Sequence, residues 1–230
     1  MSAISENLVQ IRNKIEMAAK KSNRSLNDIT LIAVTKTYSP DAINEAISNG
    51  VTDIGENKVQ EIVEKYDLVK PVRWHLIGHL QTNKVKYIID KVHMIHSVDS
   101  IRLMDEIERQ AAKHNVTMNI LIQINISGEE SKFGINPDEL EGMLIHAGSL
   151  NNVKVCGLMT ILPKIDTDIS LRLHFVNIKD IFIDICNKKY DNVDMKYMSM
   201  GMSGDFEMAI EEGSNMVRIG RAIFGERIYI

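Results

Sequence analysis

Lys36 stands where a short apolar run, Leu31 to Thr35, gives way to the turn-forming cluster Tyr38-Ser39-Pro40-Asp41. An amine in that place has two readings. It is a solvated lysine at a strand edge, with its stem on apolar surface and its head in water. Or it is a placed nucleophile, since burial disfavours the ammonium and frees a neutral amine for Schiff-base chemistry with a carbonyl. Far along the chain, "SMGMSGD" (199–205) and "RIGRAIFG" (218–225) supply hydroxyls and glycines just before predicted helices. Ser203 can cap the helix after it, and unpaired N–H groups at a helix start favour an anion. Gly220 lets backbone approach a ligand closely. Taken alone, Gly201, Gly204 and Gly220 read equally well as ordinary turn residues.

An amine facing a phosphate cradle is what pyridoxal 5'-phosphate requires, one part for its aldehyde and one for its phosphate. Arg218 shares strand parity with Gly220, so both can face one side. Beside a pyridine nitrogen an arginine can only donate, which leaves the ring largely unprotonated and a weaker electron sink. The other reading of Arg218 is a structural ion pair with a strand-end acid such as Glu56.

These residues need a frame that gathers them. Short apolar runs alternate with helical patterns along the whole chain. The runs are 30–36, 52–57, 72–78, 93–98, 118–126, 153–161, 197–201 and 216–220. Helical spacing follows each, as in Ala42, Ile43, Ala46 and Ile47 after the first, and Val85, Ile88 and Ile89 after the third. Strands separated by helices are parallel. Eight of them in a chain of 230 residues predict a single (β/α)8 barrel with an extra N-terminal helix, which could cap the strands' N-terminal face. An open doubly wound sheet is the alternative. No linker is evident, so residues 1–230 are expected to form one domain. In a barrel the working face is the C-terminal end of the strands, and phosphate sites follow strands seven and eight. That face would collect Lys36, Glu56 and Asn57, the segment 78–84, His96, Ser97 and Asp99, Asn125 and Ser127, Met159 and Thr160, and the segments 199–205 and 218–225.

Composition excludes several other classes. Hydrophobic residues make up 44% and charged residues 25%, values of a water-soluble globular chain. The net charge of −4 gives no basic field for nucleic acid or an anionic membrane. No run of apolar residues is long enough for a transmembrane helix, and no secretory leader is evident. Cys156 and Cys186 are the only cysteines and lack metal-site spacing, so a reducing, cytoplasmic setting is expected. His75 with His79, and His93 with His96, lack further ligands and read as packing or surface histidines. Met198, Met200 and Met202 are expected to fill the core near strand seven.

The motifs "AVTKTYS", "GENKVQE", "WHLIGHLQTNK", "HSVDS", "GLMTI", "SMGMSGDFEMAI" and "VRIGRAIFG" together resemble the pyridoxal phosphate homeostasis proteins, the YggS/PROSC family. The likeness runs from about residue 30 onward. It implies a barrel similar to the N-terminal domain of alanine racemase, with the cofactor carried on Lys36 as an internal aldimine. It also implies that Arg218 meets the pyridine nitrogen and that the segments around Ser199, Ser203 and Gly220 hold the phosphate. Asn57 and His79 match motif positions at the same mouth. Arg221 departs from the threonine frequent at its position, and its phosphate contact falls to its backbone N–H or to its charge.

The resemblance implies a non-catalytic role in vitamin B6 and amino-acid homeostasis, with apo-enzymes as recipients of the cofactor. A two-base racemase needs a second acid–base group on the far face of its substrate. Tyr38 and Tyr66 offer one by residue type only, and packing or surface roles suit them better. The second domain that would supply such a group is not expected in this chain, which favours a monomer. A weak amino-acid racemase is the runner-up reading, and a Schiff-base aldolase acting on a sugar phosphate is the third.

Overall fold

Helical crossovers hold neighbouring strands parallel, and the natural strand twist brings the eighth back to the first. The computed structural model describes residues 2–129, 132–162 and 167–225. Its strands are β1 (Thr30–Val34), β2 (Asp53–Glu56), β3 (Arg73–Leu76), β4 (Met94–Val98), β5 (Met118–Ile124), β6 (Val153–Thr160), β7 (Val193–Ser199) and β8 (Met216–Ile219). They form a closed barrel in sequence order, with β8 pairing back to β1. No open sheet edge is left, so the doubly wound alternative is ruled out. Around the barrel run α1 (Ala3–Lys21), α2 (Pro40–Ser48), α3 (Val59–Lys65), α4 (Ile101–His114), α5 (Leu140–Ala147), α6 (Asp168–Asn187), α7 (Phe206–Glu211) and α8 (Arg221–Phe224). Among the described residues no helix is long and apolar enough to cross a membrane.

Local signals set the helix ends. Ser39 accepts a hydrogen bond from the Ala42 N–H, and Pro40 takes the first turn of α2, where its missing N–H costs nothing. Ser100 caps α4 in the same way, and Asn115 ends that helix in the left-handed region. α8 has a single turn. α1 packs against α7, α8 and α2, filling the outer layer where a longer last helix would lie. Its Arg12 and Ile15 also edge a cleft at the strands' N-terminal ends, together with Thr30, Asp53 and Arg73.

Two features depart from the sequence reading of the elements. After β3 the chain forms 3-10 turns over Thr82–Tyr87 in place of an α-helix. Six residues so wound span about 12 Å rather than about 9 Å, which suits a short crossover. Val85, Ile88 and Ile89 are buried all the same. β7 starts at Val193, earlier than its apolar part, because its outward Asp194 and Lys196 are solvated partners in an ion-pair cluster with Lys154. The polar loop after β5 includes residues 130–131, which lie outside the described residues.

Strand alternation produces two apolar regions. The larger lies between the barrel and the helices and includes Ile54, Trp74, Ile95, Ile120 and Phe175. The smaller fills the lumen with Ile32, Met94, Leu121, Cys156, Met159 and Met216. Met198 and Met200 are buried, but Met202 is 39% exposed at the barrel mouth, against expectation. It lies past the end of β7, in the turn before α7.

The register of β6 shifts against both neighbours close to Gly157. Gly157 has φ +151°, and a Cβ there would fall 1.8 Å from the Tyr197 carbonyl oxygen. Gly157→Ala must push β7 away or lose the shift. A loss of about 3 kcal/mol or more is expected in urea denaturation.

Candidate functional site

At the C-terminal end of the barrel a cavity of about 670 Å³ is lined by Lys36, Asn57, Ser203, Gly204, Asp205, Arg218, Gly220 and Arg221 on its polar side. Val34, Ile77, Ile161, Leu162, Leu171 and Met202 form its apolar walls. Its size is that of a pocket for a small molecule, and its mix of apolar wall and converging polar groups fits one.

Lys36 sits one residue past Thr35 in the turn after β1 and is half-buried. That turn is held from beneath. Thr35 donates its hydroxyl to Glu56 Oε1 at 2.8 Å, and Lys65 Nζ donates to the Thr35 carbonyl at 3.1 Å. Lys65 also bridges Glu56 and Glu61, at 2.8 and 2.7 Å. Glu61 in turn accepts from the Thr37 N–H at 2.8 Å. Thr37 has φ +70°, a strained setting for a β-branched residue. Tyr38 completes the turn, stacking on Phe224 at 4.6 Å and donating its hydroxyl to the Gly225 carbonyl at 2.7 Å. The loops after β1 and β8 are thereby joined.

Arg218 is buried at the cavity floor. Its Nη1 donates to the carbonyl and the hydroxyl of Ser199, both at 2.7 Å, and its Nη2 to the Thr160 carbonyl at 2.8 Å. Burial pushes its pKa down to about 10, and Asp205 acts in the opposite sense. It therefore remains a cation at neutral pH. It makes no ion pair with Glu56, whose carboxylate is taken by Lys65. Asp205 caps its own turn by accepting from the Met202 N–H at 2.5 Å. Burial raises the Asp205 carboxyl above its usual range, with that bond and Arg218 opposing.

Ser199 does not line the cavity. It lies below Arg218 and continues a buried polar chain through the lumen. The Ser199 hydroxyl meets His96 Nδ1 at 3.1 Å, and His96 Nε2 meets His75 Nδ1 at 3.0 Å. His75 Nε2 meets Asp53 Oδ1 at 2.9 Å. Asp53 is held on its other side by Arg73, with bonds of 2.7 and 2.6 Å. Hydrogen bonds from His75, Arg73 and Thr52 outweigh burial and keep the Asp53 carboxyl well below its ordinary range. Burial holds the His96 ring well below its ordinary value, with His75 and Arg218 adding to the effect.

The structure thus brings six of the eight residues expected at the site into one cavity: Lys36, Asn57, Ser203, Arg218, Gly220 and Arg221. His79 lies beyond Asn57 in an adjoining surface groove, paired with Asp99 at 3.3 Å and stacked on Phe133 at 3.9 Å. Tyr38 and Tyr66 are not among the cavity residues, and Tyr66 packs on Trp74. His75 partners His96 rather than His79, and its ring edge meets His93. Among the described residues no group of three or more His, Cys, Asp or Glu side chains is placed to hold a metal ion. Sequence reasoning missed the supports: Lys65 under the Lys36 turn, and the link from Asp53 through His75 to His96. For the histidine link the available signal was the inward parity of Asp53, His75 and His96 in three successive strands.

The alanine racemase N-terminal domain family model matches residues 2–228 of this chain. A pyridoxal phosphate homeostasis protein of Aquifex aeolicus is 42% identical over 97% of this chain and 98% of its own length. One of Escherichia coli K12 is 39% identical over 100% of this chain and 99% of its own. Among solved structures, PipY of Synechococcus elongatus with PLP bound superposes with a TM-score of 0.84 at 29% identity, covering 96% of this chain and all of that one (100%).

Two predictions arise from these supports. Lys65→Met leaves Glu56 and Glu61 without their cation, and a loss of about 3 kcal/mol in urea denaturation is expected. Burial already raises the Glu56 carboxyl above its usual range, so adding Glu56→Gln to Lys65→Met should restore part of it. The second concerns pH. Unfolded His96 titrates near 6.5 while the folded ring stays neutral far lower. The unfolded chain therefore takes up the proton first, and stability that is full above pH 6.5 is lost as pH falls towards the folded value. The expected slope from this residue is about 1.4 kcal/mol per pH unit. His96→Gln should flatten the decline of the urea midpoint between pH 6.5 and 5, with Asp53 adding its own loss only in stronger acid.

Proposed function

Because the chain belongs to the pyridoxal phosphate homeostasis proteins, within the alanine racemase N-terminal domain family, we propose that it binds pyridoxal 5'-phosphate at the barrel mouth, covalently on Lys36, and carries it without turnover. The observation that bears most weight is the meeting of Lys36 and Arg218 in one cavity with the Ser203–Gly204 and Gly220–Arg221 loops. When bound, the cofactor supplies an aldehyde carbon that condenses with an amine, releasing water, and a conjugated ring.

The donor set fits that molecule. Lys36 supplies the amine. Val34, Ile77 and Leu162 offer flat apolar surface for a ring. Ser203, the backbone N–H groups of the two loops and the Arg221 charge suit a phosphate dianion. Arg218, whose guanidinium only donates, would hold the ring nitrogen of the bound cofactor without giving it a proton. Such a ring would be a poor electron sink, which supports binding over turnover. So does the state of the acids and phenols nearby. Asp205 is the only acid among the described cavity residues, and it is held by the Met202 N–H and the Arg218 charge. The Tyr38 hydroxyl is committed to the Gly225 carbonyl. A cofactor held reversibly at an open mouth suits delivery to apo-enzymes by a cytoplasmic monomer.

The alanine racemase kinship favours a second reading, weak racemase activity. α-Proton exchange on an amino acid, lost in Lys36→Ala, would establish it in place of the carrier role.

The decisive test is spectroscopic. Purified protein incubated with pyridoxal phosphate should absorb in the visible, and borohydride should trap the label on the peptide that contains Lys36. Lys36→Ala should lose both signals while keeping its circular dichroism. Trapping on another lysine would refute the site.

A further inference from the structure

The lumen holds more polar machinery than a cofactor pocket needs. Asp53, His75, His96, Ser199 and Arg218 are each at most 4% exposed and come from five different strands. Successive contacts of 2.9, 3.0, 3.1 and 2.7 Å link them without a break. The two ends fix the direction of every hydrogen bond. Arg218 has only donors, so the Ser199 oxygen accepts from it, and the buried Ser199 hydroxyl proton finds its acceptor in His96 Nδ1. An ionised Asp53 has only acceptors, so His75 Nε2 carries a proton. His75 Nδ1 is then bare and accepts from His96 Nε2–H. One pattern satisfies all five groups: both rings are neutral and both are protonated on Nε2.

We propose that Asp53, His75 and His96 are positioning residues for Arg218, setting the orientation of the guanidinium beneath the cofactor cavity through Ser199. The role for the cofactor rests on the function proposed above. In this pattern each imidazole turns its N–H end to Asp53 and its bare nitrogen towards Arg218. The aligned dipoles pass the influence of the carboxylate across the lumen to the buried cation. A rotation of Arg218 away from Ser199 would leave the hydroxyl without its donor and undo the order of the whole chain. The same ending excludes a proton wire to the cavity. Arg218 remains charged at neutral pH and acts there as neither acid nor base, so the chain holds a geometry and relays no proton.

Packing alone would also bury two histidines, and three measurements separate the ideas. In cofactor-free protein, nitrogen-15 spectra of the imidazoles should show His75 and His96 each carrying its proton on Nε2, with Nδ1 bare. The Arg218 Nη protons should give separate, slowly exchanging signals. Ser199→Ala and His96→Leu should each broaden the Nη1 signals and speed their exchange, although the bonds to the Ser199 and Thr160 carbonyls are kept. In protein loaded with pyridoxal phosphate, the same variants should bind about tenfold more weakly, the effect of losing one hydrogen bond to a charged group. Their visible band should shift. His96→Gln keeps one donor and one acceptor, and it should recover most of both effects where His96→Leu does not. Protons on Nδ1, or Arg218 signals unchanged in Ser199→Ala, would overturn the proposal. Should His96→Leu not fold, Ser199→Ala decides alone, because it deletes one atom. Failure of the wild-type protein to bind pyridoxal phosphate would sink the cofactor reading, while the cofactor-free spectra would still judge the positioning chain.

Discussion

The guanidinium of Arg218 lies inside a barrel, and a cation withdrawn from water must find acceptors or cost several kcal/mol. Much of the interior answers that need. Two of the acceptors are main-chain carbonyls, of Thr160 and Ser199, at the ends of neighbouring strands. They reach the cation because β6 shifts register near Gly157, which sets Met159 opposite Ser199. The third acceptor is a hydroxyl, and a hydroxyl that accepts must donate somewhere else. His96, His75 and Asp53 take up that donation in series, and Arg73 secures the last of them at the opposite rim. One buried charge thus connects a strand irregularity, four polar residues and both ends of the barrel.

The mouth is governed by a second buried cluster with a different task. Lys65, Glu56 and Glu61 do not touch the cavity, but they clamp the backbone on both sides of Lys36. Thr37 keeps an unfavourable backbone angle because these bonds over-determine its turn. The amine therefore projects from a rigid base, even though its segment would be classed as a loop. A site built in this way resists slackening better than one resting on loop packing alone.

The barrel was legible in the sequence because parallel strands buried on both faces give continuous apolar runs, and their helices restore a different period between them. Six of the expected site residues converge for the same reason: Arg218 lies in the C-terminal half of β8, the other five in the loops or turns after β1, β2, β7 and β8, and closure gathers these strand ends on one face. The 3-10 turns after β3 were not legible, since Val85, Ile88 and Ile89 satisfy either winding. Lys65 was hidden because a lysine in the last turn of a helix ordinarily faces water, and nothing local says that this one turns inward. His75 and His96 were visible as strand residues. Their partnership depends on stagger between strands, which the residues of one strand do not encode.

Lys36 stands beside the seam where the chain closes on itself, since β1 pairs with β8 and Tyr38 is tied to Gly225. The amine belongs to the turn after β1, while the wall beside it belongs to β8 and the loop that follows. During synthesis the lysine leaves the ribosome well before β8, yet its surroundings cannot exist until β8 and its loop have emerged. Closing a loop of that length is slow compared with forming local contacts. A nascent or half-folded chain consequently offers an ordinary lysine, one among many. Only the finished ring makes it distinct, so completion of the fold and readiness of the site coincide.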